Sequence, residues 1–219
     1  MNVASQEVCA ALAKHKIVTI LRNVDAGKVL PVAHALHKGG IKLLEITFNQ
    51  NDPTSFSATA KAIQILAKEF QGEMLVGAGT VMTKEQCHMA VENGGKFILA
   101  PNTNAEVIQL ACELEVAAIP GAMTPTEIAY AYQLGASVVK VFPAGMLGTA
   151  YIKAVRAPVN NVPLLAVGGI NAENFLSFIK AGAIGVGIGA NIANEEMIRH
   201  EDYAGLTRLA LQYTAQLEK

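Results

Sequence analysis

The chain has 219 residues, 52% of them hydrophobic, and its 17 basic side chains against 18 acidic ones give a net charge of -1. A chain of this size buries roughly 70% of its unfolded surface in one core, so a single domain spanning 1–219 is expected. The charges are interspersed and make no field that would attract nucleic acid or an anionic membrane, which leaves a small molecule or a second copy of the chain as partner.

The opening stretch MNVASQEVCAALAKHK has Glu7 and no continuous apolar core, unlike a secretory signal, and its residues 5–15 read as a helix. After it, short β-branched runs alternate with alanine-rich amphipathic segments. KIVTILR (16–22) precedes AGKVLPVAHALHKGG (26–40), and IKLLEITF (41–48) and EMLVGAGT (73–80) precede TKEQCHMAVENGG (83–95). KFILAPN (96–102) leads to NAEVIQLACELE (104–115), VAAIPG (116–121) to TPTEIAYAYQLGA (124–136), and SVVKVFP (137–143) follows. PLLAVGG (163–169), NAENFLSFIKAGA (171–183) and AIGVGIGA (183–190) complete the series. Thr83 with Gln86, Asn104 and Asn171 read as helix N-caps, and most helical segments end in glycine, which takes the left-handed C-cap without strain.

Eight strand-like runs separated by helices, with few charges inside the strands, predict parallel pairing covered by helices. At this length they fit an α/β single-domain (β/α)8 TIM barrel whose extra N-terminal helix closes the bottom. Periodicity does not show whether the last strand closes on the first, so an open doubly wound sheet stays in view. No run approaches the roughly 18 apolar residues of a membrane span, so a soluble, cytoplasmic protein is expected.

In such a barrel, sites lie at the C-terminal ends of the strands. Lys16, Lys42 and Lys96 stand at strand starts, whereas Lys140 lies late in the sixth run, where alternation puts it on one face with Val138 and Phe142. Glu45 occupies the matching place in the second run, on one face with Thr47. The two would then face each other across the lumen. Paired charges of this kind are often structural, but their place at the catalytic end favours amine catalysis, in which a neutral lysine attacks a ketone. A free lysine with a pKa of about 10.4 is mostly protonated at neutral pH, so desolvation by Val138, Val139, Val141 and Phe142 would have to depress it.

Gly168-Gly169 after the seventh run, and Gly187 and Gly189 near the end of the eighth, would bring bare backbone N–H groups onto an anion, the usual phosphate position of such barrels; tight turns alone are the plainer explanation. Residues 185–190 also match G-x-G-x-x-A, but no βαβ unit follows, so no nicotinamide cofactor is expected. No HExxH, nucleophile elbow or His/Asp cluster is present, and no metal is expected. Cys9, Cys87 and Cys112 read as small, reduced apolar residues.

With Glu45 in LLEIT, Thr80 in VGAGTV, APN at 100–102, IPGAMTPTE at 119–127, Lys140 in VKVFPA and AVGGI at 166–170, the chain resembles the 2-keto-3-deoxy-6-phosphogluconate (KDPG) and 4-hydroxy-2-oxoglutarate aldolase family, which includes the phosphogalactonate (KDPGal) aldolases. The resemblance implies a homotrimeric barrel and a metal-free class I lyase that releases pyruvate and glyceraldehyde 3-phosphate from a phosphorylated keto acid. It makes Lys140 the Schiff-base lysine and Glu45 the general acid and base. It puts Thr80 near the pyruvyl carboxylate, Pro101 and Phe142 around the pocket, and Gly168, Gly169, Gly189 and Ala190 at the phosphate.

Phosphogluconate-type members have an arginine after the glutamate strand, where this chain reads Thr47-Phe48-Asn49. Arg22, on one face with Val18 and Ile20, would supply that charge, unless it forms a rim salt bridge with Asp25. Asn49, Arg22 and Val167 look more like the phosphogalactonate type, and Ala190 stands where a serine is common. These departures fit either an altered phosphorylated substrate or a preference for 4-hydroxy-2-oxoglutarate. A sugar-phosphate isomerase or epimerase, and a non-catalytic sugar-phosphate binder, are the competing readings.

Overall fold

The strands are β1 (Ile17–Leu21), β2 (Leu43–Thr47), β3 (Leu75–Gly79), β4 (Phe97–Leu99), β5 (Ala117–Ile119), β6 (Gly121–Ala122), β7 (Val139–Val141), β8 (Leu164–Val167) and β9 (Gly185–Ile188), in a computed structural model describing residues 2–25 and 27–217. All ladders are parallel, in the spatial order β5-β4-β3-β2-β1-β9-β8-β7-β6. β5 and β6 are two halves of one strand interrupted at Pro120, a residue with no N–H for the ladder. The Ser137 and Lys140 N–H groups donate to the carbonyls of Ala118 and Pro120, each at 2.9 Å, so the sheet closes and the open doubly wound alternative is excluded. The eight expected strands thus appear as nine segments, the fifth being split.

Helices cover the outside: α1 (Val3–His15), α2 (Val29–Lys38), α3 (Phe56–Glu69), α4 (Lys84–Glu92), α5 (Ala105–Glu113), α6 (Pro125–Gln133), α7 (Ala144–Arg156), α8 (Phe175–Lys180), α9 (Glu195–Arg199) and α10 (Tyr203–Leu217). Their ends follow from local chemistry. Thr83 and Gln86 form a reciprocal capping box on α4, as do Thr124 and Glu127 on α6, and the Asn104 side chain caps α5 through the Glu106 N–H. Asn171 is displaced from its expected role: its side chain accepts from the Glu173 and Asn174 N–H groups in a turn, and α8 itself begins only at Phe175. None of the helices is long and apolar enough to cross a membrane, among the described residues.

Strand alternation divides the core in two. Ile17, Leu21, Leu44, Ile46, Val139, Val141 and Ala166 face the helices, whereas Val18, Ile20, Leu43, Phe97, Leu99, Ile119, Val138, Leu165 and Val167 fill the lumen. Each fully buried aliphatic or aromatic side chain contributes about 1.5–3 kcal/mol, so both layers hold the barrel. α1 closes the N-terminal end. Its Val8 and Leu12 join the lumen cluster, and its Ser5 hydroxyl pairs with that of Ser137 at 2.8 Å. The lumen is therefore plugged below and open only where the strands end.

β3 differs from its neighbours because two of its three lumen-facing positions, after Leu75, are glycines. A Cβ on Gly77 would overlap the Phe97 ring, and one on Gly79 would overlap the Glu45 carboxyl group. Gly187, expected near the end of the eighth strand and counted toward the anion site, lies inside β9, where a Cβ would crowd the side chain of Val167 at 2.9 Å. Its lack of a side chain is explained by lumen packing.

Candidate active site

Lys140 and Glu45 are 3% and 1% exposed, the two charged groups buried inside the described structure. Lys140 is central in β7, and Glu45 pairs in register with Ile20 of β1 and Gly77 of β3. Their charged ends do not touch: among the described residues no ammonium-to-carboxylate contact within 4.0 Å involves Lys140. Glu45 Oε1 accepts from the Thr47 hydroxyl at 3.1 Å, while Oε2 is buried without a partner. An unpaired buried carboxylate oxygen is costly in a folded protein, and it marks the lumen between the two strands as a place for a proton or a polar ligand.

The remaining expected residues fall into three groups. Phe142 follows Lys140 with its ring centroid 4.9 Å from Nζ, and a Cβ on Gly168 would sit 3.0 Å from that ring, so Lys140, Phe142 and the Gly168-Gly169 turn adjoin. Both glycines have positive φ, 89° and 73°, and the Gly145 N–H donates to the Gly168 carbonyl at 2.7 Å. Pro101 reaches the same side through its carbonyl, which lies against Gly121, the register partner of Lys140.

Arg22, Asn49 and Thr80 form a second group. With Asn23, Thr47, Phe48 and Gln50 they line a depression of about 210 Å³ at the mouth. Arg22 is exposed, and among the described residues no carboxylate lies within ion-pair distance of it, so the rim salt bridge with Asp25 is not formed. Val167, Gly189 and Ala190 make the third group, on β8 and after β9. Val167 is in the lumen, Gly189 lies 3.8 Å from the Ile20 carbonyl by its would-be Cβ, and Ala190 is exposed.

The sequence of residues 8–209 matches the family model for KDPG and KHG aldolase. The chain belongs to the KDPG and KHG aldolase family. It is an aldolase, and hence a lyase. A 2-dehydro-3-deoxy-phosphogluconate aldolase of Haemophilus influenzae is 30% identical over 210 residues, covering 95% of this chain and 96% of that protein. A 2-dehydro-3-deoxy-6-phosphogalactonate aldolase of Escherichia coli is 31% identical over 180 residues, covering 82% and 85%. The KDPG aldolase of Legionella pneumophila, solved with pyruvate captured as a covalent carbinolamine intermediate, superposes with a TM-score of 0.84 at 29% identity, covering 94% and 97%.

Within this aldolase the two buried charges pull against their surroundings. Burial pushes the Lys140 ammonium below its ordinary value of 10.5; Arg22 adds to the depression and Glu45 opposes it. Burial pushes the Glu45 carboxyl above 4.5, against the attraction of Lys140 and Arg22 and the Thr47 hydrogen bond. Desolvation leads in both, so each group is moved toward its neutral form, the form in which an amine attacks a carbonyl and a carboxylic acid donates a proton.

Two residues outside the expected set touch Glu45: Thr47 by its hydrogen bond and Gly79 by the space it leaves. The signal for the second was present in the sequence. A glycine recurring at period two in VGAGT, inside a strand, marks a close approach by another group.

Proposed function

We propose that this aldolase is a class I, Schiff-base enzyme that reversibly cleaves a 2-keto-3-deoxy-6-phospho-sugar acid, KDPG or KDPGal, to pyruvate and glyceraldehyde 3-phosphate. Cleavage of 4-hydroxy-2-oxoglutarate to pyruvate and glyoxylate belongs to the same chemistry. The observation that carries the reading is Lys140, buried in the barrel lumen with its pKa depressed, sharing that space with a carboxyl group it does not touch.

In this mechanism the neutral Lys140 amine attacks the C2 ketone, and the protonated Glu45 carboxyl gives its proton to the departing hydroxyl of the carbinolamine, leaving water, an iminium and the Glu45 carboxylate. The Glu45 carboxylate takes the C4 hydroxyl proton as the C3–C4 bond breaks. The bonding pair moves toward the iminium and forms a neutral enamine, while the C4 fragment departs as an aldehyde. The carboxylic acid formed on Glu45 then protonates C3, and water hydrolyses the iminium, releasing pyruvate and the neutral amine while the proton set free returns to the Glu45 carboxylate. Thr47 and Gly79 fix the Glu45 carboxyl so that its unpartnered Oε2 is the atom that exchanges the proton.

Arg22 and Thr80, on the wall of the mouth depression, are assigned to the keto-acid carboxylate, with Asn49 beside them and Phe142 and Pro101 against the pyruvyl carbon chain. The phosphate is assigned to the backbone of Gly168, Gly169, Gly189 and Ala190, with Val167 beneath. Identity to a phosphogluconate aldolase, 30%, and to a phosphogalactonate aldolase, 31%, supports both C4 epimers as substrates. A cytoplasmic homotrimer accompanies this proposal. Exposed Met123, Tyr130 and Met146, the last 87% exposed, support self-association around α6 and α7.

Pyruvate release from KDPG, KDPGal and 4-hydroxy-2-oxoglutarate, measured side by side, tests the reading. Release from at least one, with borohydride and pyruvate fixing a stable adduct on Lys140, is the expected result. An adduct on another lysine, or none, would sink it.

A further inference from the structure

Gln86 does more than cap a helix. It is on the first turn of α4, 1% exposed, and its Oε1 accepts from the N–H groups of Met82 at 2.7 Å and Thr83 at 3.2 Å. Two backbone donors on one atom fix the amide's orientation, because the amide nitrogen has no capacity to accept them. Nε2 is thereby turned away from the helix, and it donates to Gln50 Oε1 at 3.1 Å. That contact in turn fixes the Gln50 amide, whose Nε2 donates to the Thr80 carbonyl at 2.8 Å. Only one orientation of each amide satisfies all four bonds.

The chain of bonds ends where the backbone is strained. Thr80 has φ 55°, a left-handed conformation that is costly for a β-branched residue. The reversal lets the chain leave β3 so that the Val81 N–H reaches the Leu99 carbonyl at 3.0 Å. Gln50 belongs to the turn after β2, adjacent to Asn49, whose own side chain accepts from the Asn51 N–H at 3.1 Å. The tether therefore joins the loop after β2 to the loop after β3. Together these loops supply Asn49, Gln50 and Thr80 to the mouth depression.

We infer that Gln86, through Gln50, is a positioning residue for substrate binding: it holds Thr80 and the Asn49 loop in the geometry that receives the keto-acid carboxylate, without touching substrate. The inference rests on the proposed aldolase reading and deepens it. Gln86 acts as one unit with Gln50, so the two should not contribute additively.

Gln86→Glu separates the tether from the cap. Glutamate at this position still accepts from the Met82 and Thr83 N–H groups, as capping boxes use either residue, but it has no proton for Gln50. Wild-type and Gln86→Glu enzyme would be labelled by borohydride over a range of pyruvate concentrations, with KM and kcat of cleavage and the thermal midpoint measured alongside. The expected result is a half-saturating pyruvate concentration and KM raised about tenfold and kcat within about twofold, the pattern of lost binding geometry, with a midpoint lowered by the charge now buried at this position.

Gln50→Glu, which places an acceptor against the Thr80 carbonyl from an exposed position, should give the same pattern, and decides the matter if Gln86→Glu melts early. The double variant Gln86→Glu/Gln50→Ala, which breaks the same tether without setting two carboxylates side by side, should be no worse than Gln86→Glu alone. Equal half-saturation in variant and wild type overturns this inference alone. Absence of labelling in the wild type overturns the aldolase reading, and this inference with it.

Discussion

A Cβ on Gly79 would overlap Oε1 of Glu45, so the carboxyl group of β2 occupies the lumen space that a side chain on β3 would need. Thr47 holds the same oxygen from the other side by a 3.1 Å hydrogen bond, leaving Oε2 as the free atom. The orientation of Glu45 thus depends on a residue with no functional group.

Gly79→Ala tests this dependence. Gly79 has no positive φ, so alanine meets the steric conflict with Glu45 and no backbone strain. Displacing the carboxyl should lower kcat roughly a hundredfold, the usual scale for a lost proton-transfer group, with an overpacking cost of about 1–3 kcal/mol in stability. Borohydride labelling of Lys140 should persist, because imine formation needs the amine, while exchange of the pyruvate methyl protons with solvent should slow with kcat. Exchange at the wild-type rate would show that Gly79 does not set the carboxyl.

Arg22→Ala should act on binding and on charge. The guanidinium lowers the Lys140 pKa and also that of Glu45, so its removal moves both upward. Attack requires the neutral amine, and the acid limb of kcat/KM should therefore shift to higher pH. Loss of a charged hydrogen-bond donor to the keto-acid carboxylate should raise KM for pyruvate in the condensation direction about tenfold or more. A KM equal to that of the wild type would remove Arg22 from the site.

The features set by chain period were the legible ones. Alternation in SVVKVFP and KLLEITF puts Lys140 and Glu45 on the lumen face, and the paired clusters of Val138 against Val139 and Leu43 against Leu44 bear this out. Barrel closure was not readable, because it depends on Ser137 and Lys140 reaching across the break at Pro120. AIGVGIGA was legible as a strand, but the crowding of Gly187 by Val167 was not, because it is a contact between neighbouring strands. The Gln86 tether was hidden for another reason: it joins side chains 36 residues apart whose only sequence signature, Thr83 to Gln86, already had an explanation as a cap.

Glu127 gives a test away from the lumen. Its carboxylate accepts from the Met123 N–H at 2.8 Å, the Thr124 N–H at 2.7 Å and the Thr124 hydroxyl at 2.9 Å, which together hold its pKa below 4.5. A folded value below the unfolded one contributes stability that is present above pH 4.5 and is lost as pH falls through the folded value. Glu127→Gln should therefore be less stable than the wild type at neutral pH, by at most ~1 kcal/mol because the group is exposed, and the gap should close in acid. Urea titrations at neutral and acidic pH measure both. A gap that persists unchanged in acid would assign the effect to packing.

Lys140 and Glu45 should cost the fold stability that the reaction requires. The folded Lys140 pKa lies below 10.5, so the unfolded chain binds more protons between the two values and stability rises with pH across that window. Its penalty is full below the folded value. The folded Glu45 pKa lies above 4.5, so the native state binds more protons there, stability falls as pH rises, and the penalty is full above the folded value. Because burial is the leading cause in both, their mutual attraction does not offset it. The double variant Glu45→Gln/Lys140→Met should be inactive yet more stable than the wild type by about 1–4 kcal/mol, with a melting rise of roughly 2–4 °C for each. Its stability should also vary less with pH across the windows of the two groups. Denaturant titrations across that range would measure both effects, and a double variant less stable than the wild type at neutral pH would show that desolvation does not dominate the pair.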